Sequence, residues 1–100
     1  MTALDGWLAA RTEGAPKALC RRVQHYLHPT EAPDAVDTLV GAARSALAAA
    51  SGAEAGRSVA IDLLTADALI TLALLRQSET EPGALAARAR AIRLDSSLRG

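Results

Sequence analysis

The segment CRRVQHYLH carries the side chains best suited to bind a metal ion, namely Cys20, His25 and His28. Imidazole nitrogens and thiolates are the usual protein ligands of zinc. On a helix, Cys20 falls beside the apolar stripe, whereas both histidines fall on the polar face. His25 and His28 could share a metal only with ligands from elsewhere in the chain. They are therefore weak candidates, and the sequence predicts neither a bound metal nor a cofactor.

Two carboxylates, Asp62 and Asp67, lie within the most apolar stretch of the chain, and a buried carboxylate can act as a general base or a metal ligand. At roughly 100° per helical residue they are about 140° apart, so they cannot converge on one site. We expect each to lie at the rim of the core or to pair with an arginine of a neighbouring helix. Without a catalytic motif elsewhere, the sequence predicts a non-enzymatic protein.

Three arginines near the C-terminus, Arg88, Arg90 and Arg93, form a basic cluster. Cations near a helix C-terminus are stabilised by the helix dipole. The same side chains are candidates for contact with an acidic partner, such as the acidic third helix of another copy. The formal net charge of zero argues against a general polyanion binder, so the sequence does not favour a nucleic-acid partner.

The elements that must position these residues are all helical by composition. The chain has 100 residues, the length of one domain, and half of them are hydrophobic. About a quarter are alanine and none is phenylalanine, which favours helix over strand. The sequence predicts a single all-α domain, 1–100, a bundle of five helices at about 3–11, 16–28, 33–50, 53–77 and 82–95.

The third predicted helix has one clear apolar side, which consists of Val36, Leu39, Val40, Ala43, Leu47 and Ala50. The fourth helix differs because its apolar residues divide into two groups. Val59, Leu63, Ala66, Ile70, Ala73 and Leu74 lie on one side. Roughly opposite lie the interface candidates Ile61, Leu64, Ala68, Leu72 and Leu75. Two narrow polar seams, one with Asp62 and Thr65 and the other with Asp67 and Thr71, separate these faces. We expect a helix with two apolar faces to be covered on both sides.

A membrane span is the other interpretation of this apolar stretch. Val59 to Leu75 is seventeen residues, at the lower limit for spanning. Its nine Val, Ile and Leu residues favour insertion by roughly 3–5 kcal/mol, but the two aspartates oppose it by about 5–7 kcal/mol. The sequence therefore predicts no membrane partner.

These observations favour a small interaction module that forms a homodimer through the second apolar face of the fourth helix. An alanine-rich core buries little area per residue, which favours oligomerisation. The N-terminus lacks a signal peptide, so we expect a cytoplasmic protein, and the Ala and Arg bias is typical of GC-rich bacterial genes. Two alternatives stay open: a helical bundle that binds a small ligand or cofactor, and a weak helix-turn-helix-like DNA-binding regulator over Leu47 to Leu64.

Overall fold

The computed structural model describes residues 3–27, 34–52 and 56–99, and all regular structure within these ranges is helical. The five α-helices are α1 (Ala3–Arg11), α2 (Lys17–Leu27), α3 (Ala35–Ser51), α4 (Arg57–Thr80) and α5 (Leu85–Arg99). A short 3-10 turn, Pro82–Ala84, precedes α5. The all-α prediction is confirmed, and the predicted helix ends differ from the observed ones by about one turn or less.

Helix α3 has well-defined ends. Asp34 is its N-cap, and the Asp34 carboxylate accepts a hydrogen bond of 2.9 Å from the Val36 N–H. Such a cap satisfies one of the free N–H groups of the first turn. At the other end the Gly52 N–H donates to the Ala48 carbonyl at 3.1 Å.

Glycines lie at the ends of several helices. Gly52 closes α3 with φ −90°, a right-handed conformation. Among the described residues, the glycine with a positive φ, +87°, is Gly14, in the break between α1 and α2. Ser51 belongs to α3 and does not cap the next helix, because α4 begins at Arg57 after an N-cap at Gly56, whose lack of a side chain leaves no side-chain cap.

The core lies mainly between α3 and α4, which make the most extensive contact of any two helices in the described chain. The predicted apolar side of α3 is buried, apart from a half-buried Leu47. Leu39 of α3 and Leu69 of α4 are completely buried, and so are the small side chains Ala42, Ala46 and Ala73. Because alanine adds only a methyl group, these positions allow two helix backbones to pack closely.

The remaining helices pack around this pair. Helix α2 contacts both α3 and α4, and it buries Val23, Tyr26 and Leu27. Helix α1 is joined to the C-terminal end of α4 through Glu79, which accepts hydrogen bonds from Trp7 Nε1 at 2.9 Å and from Arg11 Nη2 at 2.8 Å. The Arg76 guanidinium also lies 5.3 Å from the Trp7 ring centre. Side chains therefore hold both α1 and α2 against α4.

Candidate functional site

The Asp62 side chain lies at the contact between α2 and α4. One carboxylate oxygen, Oδ1, accepts a hydrogen bond from Arg22 Nε at 2.7 Å and another from the Tyr26 hydroxyl at 2.8 Å. Asp62 is 4% exposed, so this is a buried and hydrogen-bonded carboxylate. The prediction that it pairs with an arginine of a neighbouring helix is confirmed.

The electrostatics of this cluster favour a structural role for Asp62. The Arg22 hydrogen bond lowers the pKa of the Asp62 carboxyl, although burial acts in the opposite direction. Burial, together with the hydrogen bond to Asp62, raises the pKa of the Tyr26 hydroxyl. A carboxylate with a lowered pKa is a weak base, and a tyrosine hydroxyl with a raised pKa is a weak acid. This arrangement therefore holds Asp62 charged and Tyr26 neutral, and joins two helices.

The structure describes two of the three side chains considered for metal binding. His25 is exposed and its ring is nearly perpendicular to that of Tyr26, with ring centres 5.0 Å apart, and Cys20 is half-buried. His28 lies outside the described residues. Among the residues that the structure describes, no three His, Cys, Asp or Glu side chains are grouped closely enough to hold a metal ion.

An open groove of about 400 Å³ runs between α2 and the start of α4. Its lining includes Arg21, Arg22 and His25 from α2, and Ser58 and Ile61 from α4. Arg22 also holds Asp62, whereas Arg21 is exposed and has no side-chain bond within the described part of the chain. The groove therefore presents cationic side chains to solvent.

The three C-terminal arginines differ in their surroundings. Arg88 Nη1 donates to Asp37 Oδ1 at 2.7 Å, and Arg88 Nε donates to Gln77 Oε1 at 3.3 Å. Arg88 thus binds the acidic start of α3 in its own chain. Arg90 and Arg93 are exposed, and neither has a side-chain partner among the described residues.

Within one chain, helix α4 is covered along one side. It has one buried stripe, which consists of Asp62, Thr65, Ala66, Leu69, Leu72, Ala73 and Gln77. The predicted seam of Asp62 and Thr65 therefore lies inside the core. The two other buried polar side chains of the stripe bond to backbone carbonyls nearby in the chain. Thr65 Oγ1 donates to the Ile61 carbonyl at 2.6 Å, and Gln77 Nε2 donates to the Glu81 carbonyl at 3.1 Å.

The opposite side of α4 is mostly apolar and largely exposed in one chain. We call it the outer face and define it as Ala60, Leu63, Leu64, Asp67, Thr71, Leu74, Leu75 and Ser78. Leu63, Leu64 and Leu75 are 48%, 53% and 37% exposed, while Leu74 and Ser78 are half-buried. Adjacent exposed leucines on one helix face are typical of an interaction surface.

The five predicted interface residues do not all lie on this surface. Leu64 and Leu75 belong to the outer face, and Ile61 and Ala68 are half-buried beside it. Leu72 is only 8% exposed and packs in the core, so its assignment to an accessible face is wrong. Conversely, the sequence grouped Leu63 and Leu74 with Ala66 and Ala73, which are buried, and not with the interface candidates. The signal that could have placed them is Leu69, which lies between Asp62 and Thr65 on the helical wheel and marks that side as buried.

By length and composition alone, Ser58–Thr80 could cross a membrane, and only a third of its most apolar window is buried inside the protein. The helix-turn-helix prediction depends on the connection at residues 53–55, which lies outside the described residues. No protein-family model matches the chain, and no curated protein or solved structure is significantly similar to it.

Proposed function

We propose that this chain is a small, non-enzymatic interaction module of the cytoplasm that forms a homodimer through the outer face of α4. The observation that carries the proposal is the row of exposed leucines, Leu63, Leu64 and Leu75, on one side of the longest helix. Burying the exposed half of a leucine stabilises a dimer by about 1 kcal/mol. Each leucine contributes twice, because a two-fold interface contains the same residue from both copies.

A second copy is the partner that the charges favour. The formal net charge is zero, so two copies do not repel each other as whole molecules. The outer face carries a single ionisable side chain, Asp67. A face of one helix is a small interface, and we therefore expect a reversible dimer at micromolar concentration.

Sedimentation equilibrium over a range of micromolar concentrations tests the proposal. The apparent mass should rise from 10.3 kDa towards twice that value. Leu64→Glu should abolish the increase, because it places a charge within the apolar face. Leu94→Glu is the matched control, since Leu94 is 58% exposed but lies on α5, and it should dimerise like the wild type.

Three results would contradict the proposal. The first is a single 10.3 kDa species at all concentrations. The second is a Leu64→Glu variant that still dimerises while its circular dichroism shows an intact fold. The third is flotation of the wild type with lipid vesicles, lost in Leu64→Glu, which would assign the outer face to a membrane surface.

A second candidate function is the binding of a small anionic ligand in the groove between α2 and α4. The observation that favours it is the lining by Arg21, Arg22 and His25. Native mass spectrometry of freshly purified protein should then show a retained adduct that is lost in Arg21→Ala. The control Arg90→Ala also removes an exposed arginine, but from α5, and should keep the adduct. A bare protein in all samples would exclude this function.

A further inference from the structure

The outer face has the same order of small, leucine and polar positions in both directions along α4. Leu63 and Leu75 are each six residues from Leu69 in the sequence, and Leu64 and Leu74 are each five residues from it. Closest to the centre are Asp67 and Thr71, both polar, and at the ends are the small residues Ala60 and Ser78. Leu69 itself is completely buried and points to the opposite side of the helix. At 100° per residue, each pair is also placed symmetrically about the middle of the outer face.

This symmetry is what a two-fold interface requires, because the same surface must be complementary to itself. We propose that two copies pair their α4 helices antiparallel, with the two-fold axis level with Leu69. This inference rests on the proposed dimer and specifies its direction and register. Leu64 of one copy then packs against Leu74 and Leu75 of the other, and Asp67 lies beside Thr71 twice.

The polar pair at the centre favours the antiparallel direction. In a parallel dimer Asp67 would lie level with Asp67 of the other copy, and two carboxylates at close range repel each other. In the antiparallel dimer the two Asp67 residues are offset by about 6 Å along the helix, and Thr71 of the other copy lies level with each of them. In the antiparallel dimer the Thr71 hydroxyl donates to the Asp67 carboxylate. Both side chains are exposed, and neither has a side-chain partner in the part of the chain that the structure describes.

The spacing along the outer face also suits a helix pair. Ala60, Leu64, Asp67, Thr71, Leu74 and Ser78 follow one another at alternating intervals of four and three residues, which is the seam of a coiled coil. A polar residue within such a seam fixes the register, because a shifted register would bury it without a partner. Here the polar layer is central, so sliding by one turn would place Asp67 against leucine in one direction and against Asp67 of the other copy in the other direction.

Disulfide cross-linking tests the direction and register. Each variant carries Cys20→Ser, which removes the only native thiol. In the proposed dimer, the thiol introduced by Leu64→Cys in one copy would lie beside the thiol introduced by Leu75→Cys in the other copy. This pair forms only when the two variants are mixed. Two copies of Leu64→Cys are separated by about 15 Å along the helix, too far for a disulfide. We expect a cross-linked dimer from the mixture and little from either variant alone.

A cross-link in Leu64→Cys alone would show a parallel pair and overturn the inference. So would the absence of a cross-link in the mixture while sedimentation still shows the dimer. Both results leave the proposed function intact, whereas a monomer in sedimentation would refute the proposed function itself.

A charge substitution gives an independent measurement. Thr71→Lys should tighten the antiparallel dimer several-fold, because the introduced ammonium group would face Asp67 of the other copy twice. The gain should disappear at high salt, where exposed charges are screened. In a parallel dimer the same change would place lysine against lysine, so a weaker dimer for Thr71→Lys would contradict the proposed direction. Ser78→Lys, at the end of the face and far from Asp67, is the control and should not tighten the dimer.

Discussion

Arg22 of α2 and Asp62 of α4 form an ion pair, with Nε 2.7 Å from Oδ1, at the contact between their helices. The Asp62 side chain is 6% exposed, whereas that of Arg22 is 34% exposed, so the arginine extends from the surface to reach a buried carboxylate. Tyr26 donates to the same oxygen. The pair therefore allows an acidic residue to lie in the core of the most apolar helix.

Removing the charge of Asp62 should destabilise the fold. In Asp62→Asn the side chain keeps its shape, but Arg22 and Tyr26 lose a charged acceptor, and the expected loss in the free energy of unfolding is about 1–3 kcal/mol. Denaturant unfolding of the dilute, monomeric protein measures it. Asp67→Asn removes an exposed carboxylate of the same helix and should change the free energy by less than about 0.5 kcal/mol. Equal effects of the two variants would contradict the buried position of Asp62.

Trp7 should report the protonation of Glu79. Hydrogen bonds from Trp7, and then from Arg11, lower the pKa of the Glu79 carboxyl. Because this pKa is lowered in the folded state, the contribution of Glu79 to stability is present above the ordinary glutamate pKa of about 4.3 and is lost as the pH falls through the lower folded value.

We therefore expect the fluorescence of Trp7, the only tryptophan, to be constant down to about pH 4.3 and to change below it. Glu79→Gln should remove this change, whereas Glu13→Gln, an exposed residue outside the contact, should keep it. A fluorescence change centred above the ordinary glutamate pKa, or one that persists in Glu79→Gln, would disagree with the observed contact.

The two sides of α4 should respond differently to the same truncation. Leu69→Ala removes a completely buried side chain and should cost about 3–5 kcal/mol of unfolding free energy. Leu63→Ala truncates a 48% exposed leucine of the outer face, and the monomer should lose less than about 1 kcal/mol. Thermal and denaturant unfolding at low protein concentration compare them. A larger loss of unfolding free energy for Leu63→Ala than for Leu69→Ala would contradict the observed position of the buried stripe on α4.

Arg88→Ala should loosen α5 without unfolding the protein. Arg88 joins α5 to Asp37 of α3 and to Gln77 of α4 through partly exposed contacts, each worth less than about 1 kcal/mol. We expect hydrogen exchange of α5 amides to speed up several-fold, with that of α3 unchanged. Arg90→Ala, which removes an exposed arginine of the same helix, is the control. Unaltered exchange in Arg88→Ala would mean that α5 is held by apolar packing such as that of Ile92.

The sequence was sufficient to predict the helices and the buried side of α3. On α3, five of the six residues predicted to form the apolar side are buried, and Asp34, Asp37 and Arg44 stay at the surface. Periodicity alone therefore identifies Leu39 and Val40 as core residues. The same reasoning gave two expectations for Asp62, a position at the rim of the core or a pair with an arginine of a neighbouring helix, and the second is observed.

The orientation of α4 could not be predicted in this way. A helical wheel counts Asp62, Thr65 and Gln77 as polar and assigns them to the surface. Each is buried because it finds a partner that the wheel does not contain: Arg22 for Asp62, the Ile61 carbonyl for Thr65, and Arg88 for Gln77. Two of these partners lie on other helices, so they are known only after the chain has folded. With them buried, the leucines near Asp67 are left outside.

The alanines at the contact of α3 and α4 restrict how this sequence can change during evolution. Ala42, Ala46 and Ala73 are completely buried, and a larger side chain at any of them would have to push a helix away. Every displacement of α4 would also strain its bonds to α1, α2 and α5. The smallest side chains of the core should therefore be the least replaceable, and variation should accumulate instead among exposed residues outside the outer face, such as Leu94.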